Sequence, residues 1–299
     1  MSELIELIKQ LRERTGAGMM DCKKALLANN NDVEASITWL REKGIAKQAK
    51  KASTRIAAEG VASLMIDGNR AAVVEVNSET DFVANSDPFR ALVKEVNEIV
   101  LKNNPKTLEE AKACKNEKGQ SIADLFVDAT VKMGEKMDFR RFEIVDKTDD
   151  EIFGHYIHMK GKIATLIVLK GGNEDVAHSI TLNVCSNNPA YVNESDIPAD
   201  VIAKETEVQK AASMEDPSFA KKQAKIQEKI IEGRVNKVLF ESVLVDEPLI
   251  LDESKTVGQL LKESNASLVK IVRYEVGEGI EKRHDDFAAE VAAQANAGK

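Results

Sequence analysis

Two stretches of the chain run through the same order of elements, and that repetition restricts the fold more than any other feature of the 299 residues. In the first, residues 61–66 and 72–76 read as strands around the turn Asp67-Gly68-Asn69-Arg70, because an Asp-Gly turn flanked by apolar runs is a hairpin signal. A polar link, Asn77-Ser78-Glu79-Thr80-Asp81-Phe82-Val83-Ala84-Asn85, leads to a helix opened by Asp87-Pro88, an N-cap oxygen followed by a residue preset for the first helical position. Behind it Phe89, Leu92, Val93, Val96 and Val100 recur at helical spacing. In the second stretch, residues 152–158, the turn Met159-Lys160-Gly161-Lys162, residues 163–169, Gly171-Gly172-Asn173 and a helix through Val176, Ile180 and Val184 follow the same plan. Two hairpins, each with a helix on one face, predict two α+β subdomains with antiparallel sheets.

The remaining segments fit around that pair. Leu4, Ile8 and Leu11, then Cys22, Ala25 and Leu26, then Val33, Ile37 and Leu40 form three short apolar stripes separated by Thr15-Gly16-Ala17-Gly18 and Asn29-Asn30-Asn31-Asp32, the pattern of a small three-helix bundle. An Ala/Lys stretch without a stripe follows it, read as a partly helical linker or, alternatively, a basic contact strip. Helices are expected near 107–114 and, with Ser121 and Asp124 as a capping pair, at 122–134, before a strand at 139–145. Stripes at Val201, Ile202, Glu205, Val208 and at Phe219, Gln223, Ile226, Ile230 predict an antiparallel helical hairpin. Glu232-Gly233-Arg234-Val235 should lead back to a helix near 256–263 and a strand at 267–276, and Phe287 and Val291 mark a closing amphipathic helix. The boundaries are 1–45 for the bundle, 46–59 for the linker, 60–146 for the first core subdomain, and 147–190 with 233–278 for the second. The hairpin takes 191–232 and the last helical module 279–299.

Composition narrows the function. The net charge is −8, unsuited to phosphate neutralisation along a nucleic acid. It is uneven: residues 1–55 carry 11 Lys+Arg against 7 Asp+Glu, a formal +4, and the rest 31 against 43, a formal −12, which suggests two different partner surfaces. Cys22, Cys114 and Cys185 are odd in number and far apart, so a disulfide framework is not expected. The amino terminus lacks a signal-peptide pattern and no apolar run approaches a bilayer span, so a cytoplasmic protein without a membrane partner is expected. P-loop, GxSxG and HExxH patterns are absent. His155 and His158 lie three apart on an expected strand, pointing to opposite faces, which disfavours a shared ion. A metal-dependent enzyme using Asp81, His155 and His158 remains a minor reading. No cofactor and no metal are expected, and a macromolecular binding protein is favoured over an enzyme.

The short link puts an acid and a large aromatic, Asp81 and Phe82, at one end of a sheet, where rigid elements hold functional side chains. A second apolar surface is offered by Met19 and Met20 after the glycines of the first bundle. That bundle resembles the ubiquitin-associated (UBA) type, which leaves open an adaptor that binds a partner helix or nascent chain through Gly18, Met19 and Met20. More closely, Leu11-Arg12, Thr15-Gly16-Ala17-Gly18 and Met20-Asp21-Cys22-Lys23 resemble the opening signature of the bacterial elongation factor Ts family. Residues 270–282, KIVRYEVGEGIEK, are similar to that family too. The resemblance implies a guanine nucleotide exchange factor for elongation factor Tu, without a reaction of its own. It implies that Asp81, Phe82, Val83 and Ala84 disturb the partner's Mg2+ site and that Arg12, Met19, Met20, Lys23 and His158 contact its G domain, with His155 as the alternative to His158. For partners it implies elongation factor Tu, nucleotide-free or bound to GDP, and through the 191–232 insert a self-association that would give a 2:2 complex.

Overall fold

The computed structural model describes residues 2–15, 17–52 and 56–280. The chain is α+β, with two three-stranded sheets, and its contacts divide it into two units. The first takes in the described residues up to Val145, the turn 159–163 and residues 274–280; the second is Asp146–His158 with Ala164–Arg273.

The first unit opens with the helical bundle: α1 (Ser2–Thr15), α2 (Met19–Ala28) and α3 (Val33–Ala52). Ile8, Leu11, Cys22, Ala25, Leu26 and Leu40, positions that the helical period selects, close its core together with Ala17 of the loop between α1 and α2. Helix α3 does not stop at residue 45. Ala, Lys and Gln are strong helix formers and no proline interrupts them, so much of the stretch expected as a 46–59 linker is one helix with the bundle. β1 (Glu59–Asp67) and β2 (Arg70–Ser78) form the expected antiparallel hairpin, with Asp67 opposite Arg70 across a two-residue turn and Gly68 at φ +55°. There follow α4 (Asp81–Ala84), α5 (Asp87–Asn103), α6 (Leu108–Ala113), α7 (Ile122–Met133) and β3 (Met137–Asp146), and the sheet order is β1-β2-β3. The Ser121–Asp124 pair forms a capping box on α7. Phe89, Val93, Val96, Val100, Ile122, Phe126 and Phe139 fill the core over the sheet. Arg41 of α3 reaches Asp124 (3.2 Å) and Asp128 (3.3 Å) of α7. Gly44 lies so close to α7 that a Cβ there would meet Val131 Cγ2 at 2.4 Å.

The second unit contains β4 (Glu151–His158), β5 (Ile163–Lys170, from Ala164 on) and α8 (Glu174–Asn187). The hairpin of α9 (Ala199–Met214), α10 (Pro217–Ala220) and α11 (Ala224–Phe240) follows, then α12 (Val257–Glu263) and β6 (Ser267–Glu275, to Arg273), with sheet order β4-β5-β6. Helix α8 lies against β4 at Gly154, where a Cβ would come within 2.3 Å of Thr181 Oγ1 and 2.7 Å of the Ala177 carbonyl. The helical hairpin runs past residue 232. Ile231, Val235 and Leu239 keep the apolar period and are buried, so α11 carries on through Gly233, past the expected 191–232 bound of the hairpin. Arg234 Nη1 ties the two long helices by donating to Ser213 Oγ at 2.8 Å. The expected 279–299 helix, with Phe287 and Val291, lies outside the described residues, apart from Gly279 and Ile280. Among the described residues no helix is long and apolar enough to cross a membrane.

Candidate functional site

The link from β2 to α5 is a helical turn rather than the loop expected. Thr80 caps it: its Oγ1 accepts from Val83 N at 3.3 Å, and Ala84 N and Asn85 N reach back to the Thr80 and Asp81 carbonyls. The cap is itself fixed from a distance. Thr80 N and Oγ1 both donate to the Glu135 carboxylate, at 3.1 and 2.7 Å, and the Glu79 carboxylate receives the Lys136 N–H. At the far end Asn85 Nδ2 donates to the Asp81 carbonyl (2.8 Å) and Ser86 Oγ to the Val83 carbonyl (2.7 Å). Asp87, expected to cap α5, is instead its first residue; the N-cap position falls to Ser86, whose hydroxyl is already turned back onto α4.

One turn of helix sends four side chains in different directions, and that separates the expected quartet. Phe82 points outward with 85% of its surface exposed, and Asp81 beside it is exposed too. Val83 is half-buried against the core, and Ala84 is 2% exposed inside it. Ala84 therefore holds the turn down and is not available as a contact, contrary to its expected place beside Phe82. An open cleft of about 760 Å³ borders the turn, lined by Glu59, Thr80, Asp81, Phe82, Met159 and Lys162 among others, all of the first unit.

Behind the cleft the sheet carries a buried charge. Glu75 of β2 is fully buried and receives Arg140 Nη1 (2.9 Å), Arg141 Nε (2.5 Å) and the Gly277 N–H (2.9 Å). Burial alone raises a carboxyl's pKa, but these donors, Gly277 first, outweigh it and hold Glu75 below its ordinary value. The Arg141 guanidinium lies 4.2 Å from the Tyr274 ring centre, and burial, with Glu143 adding to it, pushes the Tyr274 hydroxyl up to about 12. The network pins residues 274–278 to the sheet that presents α4.

The other expected contacts lie on other elements. Met19 and Met20 are 58% and 62% exposed at the start of α2, and Arg12 and Lys23 are exposed on the same bundle. Cys22 beneath them is buried, which pushes its thiol up. In the second unit His158 is half-buried, its ring 5.9 Å from Tyr156, which in turn meets His178 of α8 at 6.4 Å. His155 is exposed and lies on the opposite strand face. Among the described residues no cluster of three or more His, Cys, Asp or Glu side chains could hold a metal ion.

Sequence reasoning named Thr80 and Asn85 only as part of the link and gave no part to Glu135 or to Arg90, whose Nη2 donates to Asn85 Oδ1; all four hold the turn. Thr80 ahead of a short apolar run carried a local capping signal; Glu135, 55 residues away, carried none.

The family described as Elongation factor TS matches residues 79–278. The elongation factor Ts of Acholeplasma laidlawii is 46% identical over 97% of this chain and 98% of its own length. That of Limosilactobacillus reuteri is 44% identical over 97% of each. On a match that takes in the capped turn, β3 and the whole second unit, and on end-to-end relatives this similar, the chain belongs to the elongation factor Ts family.

Proposed function

We propose that this protein is the guanine nucleotide exchange factor for elongation factor Tu in cytoplasmic translation, performing no chemical step itself. The observation that carries this reading is Phe82: a large ring held out to solvent on a turn capped at both ends, next to an exposed carboxylate. A GTPase holds GDP through backbone amides around its phosphates and a Mg2+ ion. A factor speeds release only if it binds the emptied state better than the loaded one; equal affinity shifts nothing. Phe82 wedges into an apolar gap of the partner, and Asp81 disturbs the coordination that ties metal to phosphate. Val83 and Ala84 supply the apolar footing that lets the turn push without folding back. Arg12, Met19, Met20 and Lys23 anchor the helical bundle on the G domain, and His158 contributes from the second unit. By linkage, each tenfold loss of GDP affinity requires GDP to weaken factor binding by the same tenfold, about 1.4 kcal/mol, which makes the cycle repeatable.

The test is release of labelled GDP from elongation factor Tu in a stopped-flow instrument. Asp81→Ala and Phe82→Ala together will slow release while leaving much of the binding. Release at the parental rate rejects the reading and favours the rival, an adaptor working through Gly18, Met19 and Met20, in which Phe82 is silent. Self-association into a 2:2 complex is supported by the exposed Ile202, Val208, Met214 and Ile226 of the helical hairpin.

A further inference from the structure

The turn after β4 has three consecutive residues in the left-handed backbone region: Met159 at φ +46°, Lys160 at +55° and Gly161 at +94°. Glycine accepts this freely, whereas long side chains at 159 and 160 do not. Four interactions within the first unit hold the conformation. Arg90 Nη1 donates to the Lys160 carbonyl (3.0 Å), Ala62 N to the Gly161 carbonyl (2.8 Å) and Val276 N to the Lys162 carbonyl (2.9 Å), while the Lys162 ammonium pairs with Glu59. Strain retained against such bonds points to a use for the side chain that is strained. Met159 does not fold onto the core; it is 69% exposed and lines the same cleft as Phe82. Arg90 touches both sides of that cleft. Its Nη2 donates to Asn85 Oδ1 (3.2 Å), and Asn85 Nδ2 holds the Asp81 carbonyl.

We propose that Met159 is a second apolar contact of the exchange surface, gripping with Phe82 one apolar ridge of the partner's nucleotide-binding domain, and that Arg90 is the positioning residue that sets the spacing of the two. This rests on the exchange reading above. A thioether is flexible and polarizable, suited to moulding against a ridge that the rigid phenyl ring cannot follow. The lining of the cleft that holds the two apolar tips sets four carboxylates, Glu59, Glu79, Asp81 and Glu275, against the ammonium of Lys162, so it is acidic on balance. The ridge that fits is therefore flanked by basic side chains.

The test uses the full-length protein and release of fluorescent GDP from elongation factor Tu over a range of factor concentrations. Asparagine tolerates the left-handed region, so Met159→Asn will keep or raise the urea midpoint. It will nevertheless raise the half-saturating concentration about fivefold with the maximal rate held within about twofold, the effect of one lost apolar contact. Met159→Leu, which keeps apolar bulk, will stay within about twofold of the parent on both measures. Arg90→Ala will raise the half-saturating concentration as Met159→Asn does, and the pair together will raise it no further than either alone, a coupling that a merely structural arginine would not show. A parental half-saturating concentration for Met159→Asn alongside an impaired Phe82→Ala overturns the second contact and leaves the exchange reading standing. Additive effects of Arg90→Ala and Met159→Asn overturn the positioning role, and a parental rate for Phe82→Ala overturns the whole.

Discussion

The two units use the same plan and differ in how a hairpin is joined to the helix behind it. In the second, β5 passes to α8 through three residues, 171–173. Gly171 and Gly172 both have positive φ, and a Cβ at Gly171 would meet the Asn265 carbonyl at 2.3 Å, so the link is as tight as backbone allows. In the first, β2 passes to α5 through eight residues, 79–86, that build a helical turn. The topology needs only the short version. The longer one holds Ala84 in the core and presents Phe82 to solvent, the side chain on which the proposed exchange surface is built. The buried acids differ as well. Glu75 in the first unit is met by two guanidinium groups and sits below its ordinary pKa. Glu247 in the second is pushed up by burial, which the amides of Asn187 (2.9 Å) and Asn183 (3.2 Å) offset only in part.

The largest effect that would sharpen this contrast is Glu75→Gln. Removing one partner of a buried ion pair costs about 3–5 kcal/mol, and partial exposure of Arg140 and Arg141 places the expected loss near the lower end, about 3 kcal/mol. Because the folded pKa of Glu75 is depressed, its contribution is present above the unfolded value of about 4.3 and is lost as pH falls through the folded one. Urea unfolding will therefore show a gap between parent and variant that is full at pH 7 and shrinks below about pH 4. A constant gap would mean that packing, and not charge, distinguishes the two sheets.

Next comes Gly154→Ala, at roughly 2 kcal/mol, the cost of forcing a methyl into a filled contact. Its Cβ would press on the Ala177 carbonyl of α8, which cannot rotate away as a side chain would. A loss below about 0.5 kcal/mol would show that α8 can slide on its sheet.

How much of this could be read beforehand follows from the range of each signal. The Asp67-Gly68 hairpin, the Ser121–Asp124 cap and the stripe from Phe89 to Val100 are local, and they formed where residue spacing placed them. Helix ends were less legible. A missing apolar stripe reads as a partly helical linker at 46–59 and the hairpin as ending at 232, but intrinsic propensity carries α3 on to Ala52 and a buried stripe carries α11 on to Phe240. A contact role for Phe82 was implied by its place at the end of a sheet and by the family resemblance, while the grip that fixes its turn was not. Glu135 lies 55 residues from Thr80 and Arg140 lies 65 from Glu75, so neither pairing leaves a pattern in a single sequence.

Glu247→Gln should act in the opposite direction from Glu75→Gln and more weakly. A raised folded pKa contributes stability that is present below the unfolded value and lost as pH rises through the folded one. Burial disfavours the charged form of Glu247 in the fold, and glutamine retains an acceptor for Asn183 and Asn187 without the charge. A gain of about 1 kcal/mol is expected at pH 7, disappearing near pH 4. A loss at pH 7 would show that the charge-assisted bonds to the amides outweigh desolvation, and the two units would then treat their buried acids alike.

The smallest stability effect should come from Phe82, the residue proposed above to carry exchange. Phe82→Ala removes a ring that buries almost nothing, and alanine is the better helix former, so the urea midpoint should move by less than about 0.5 kcal/mol. Phe89, seven positions on and fully buried, supplies the yardstick: Phe89→Ala should cost about 3–5 kcal/mol. If Phe82→Ala instead approached that cost, the eight-residue link would be part of the fold's own core, and its excess over the three-residue link would need no partner. A near-zero shift in stability together with slowed GDP release would separate the two roles, since a side chain that contributes nothing to folding yet limits exchange has its contacts on another molecule.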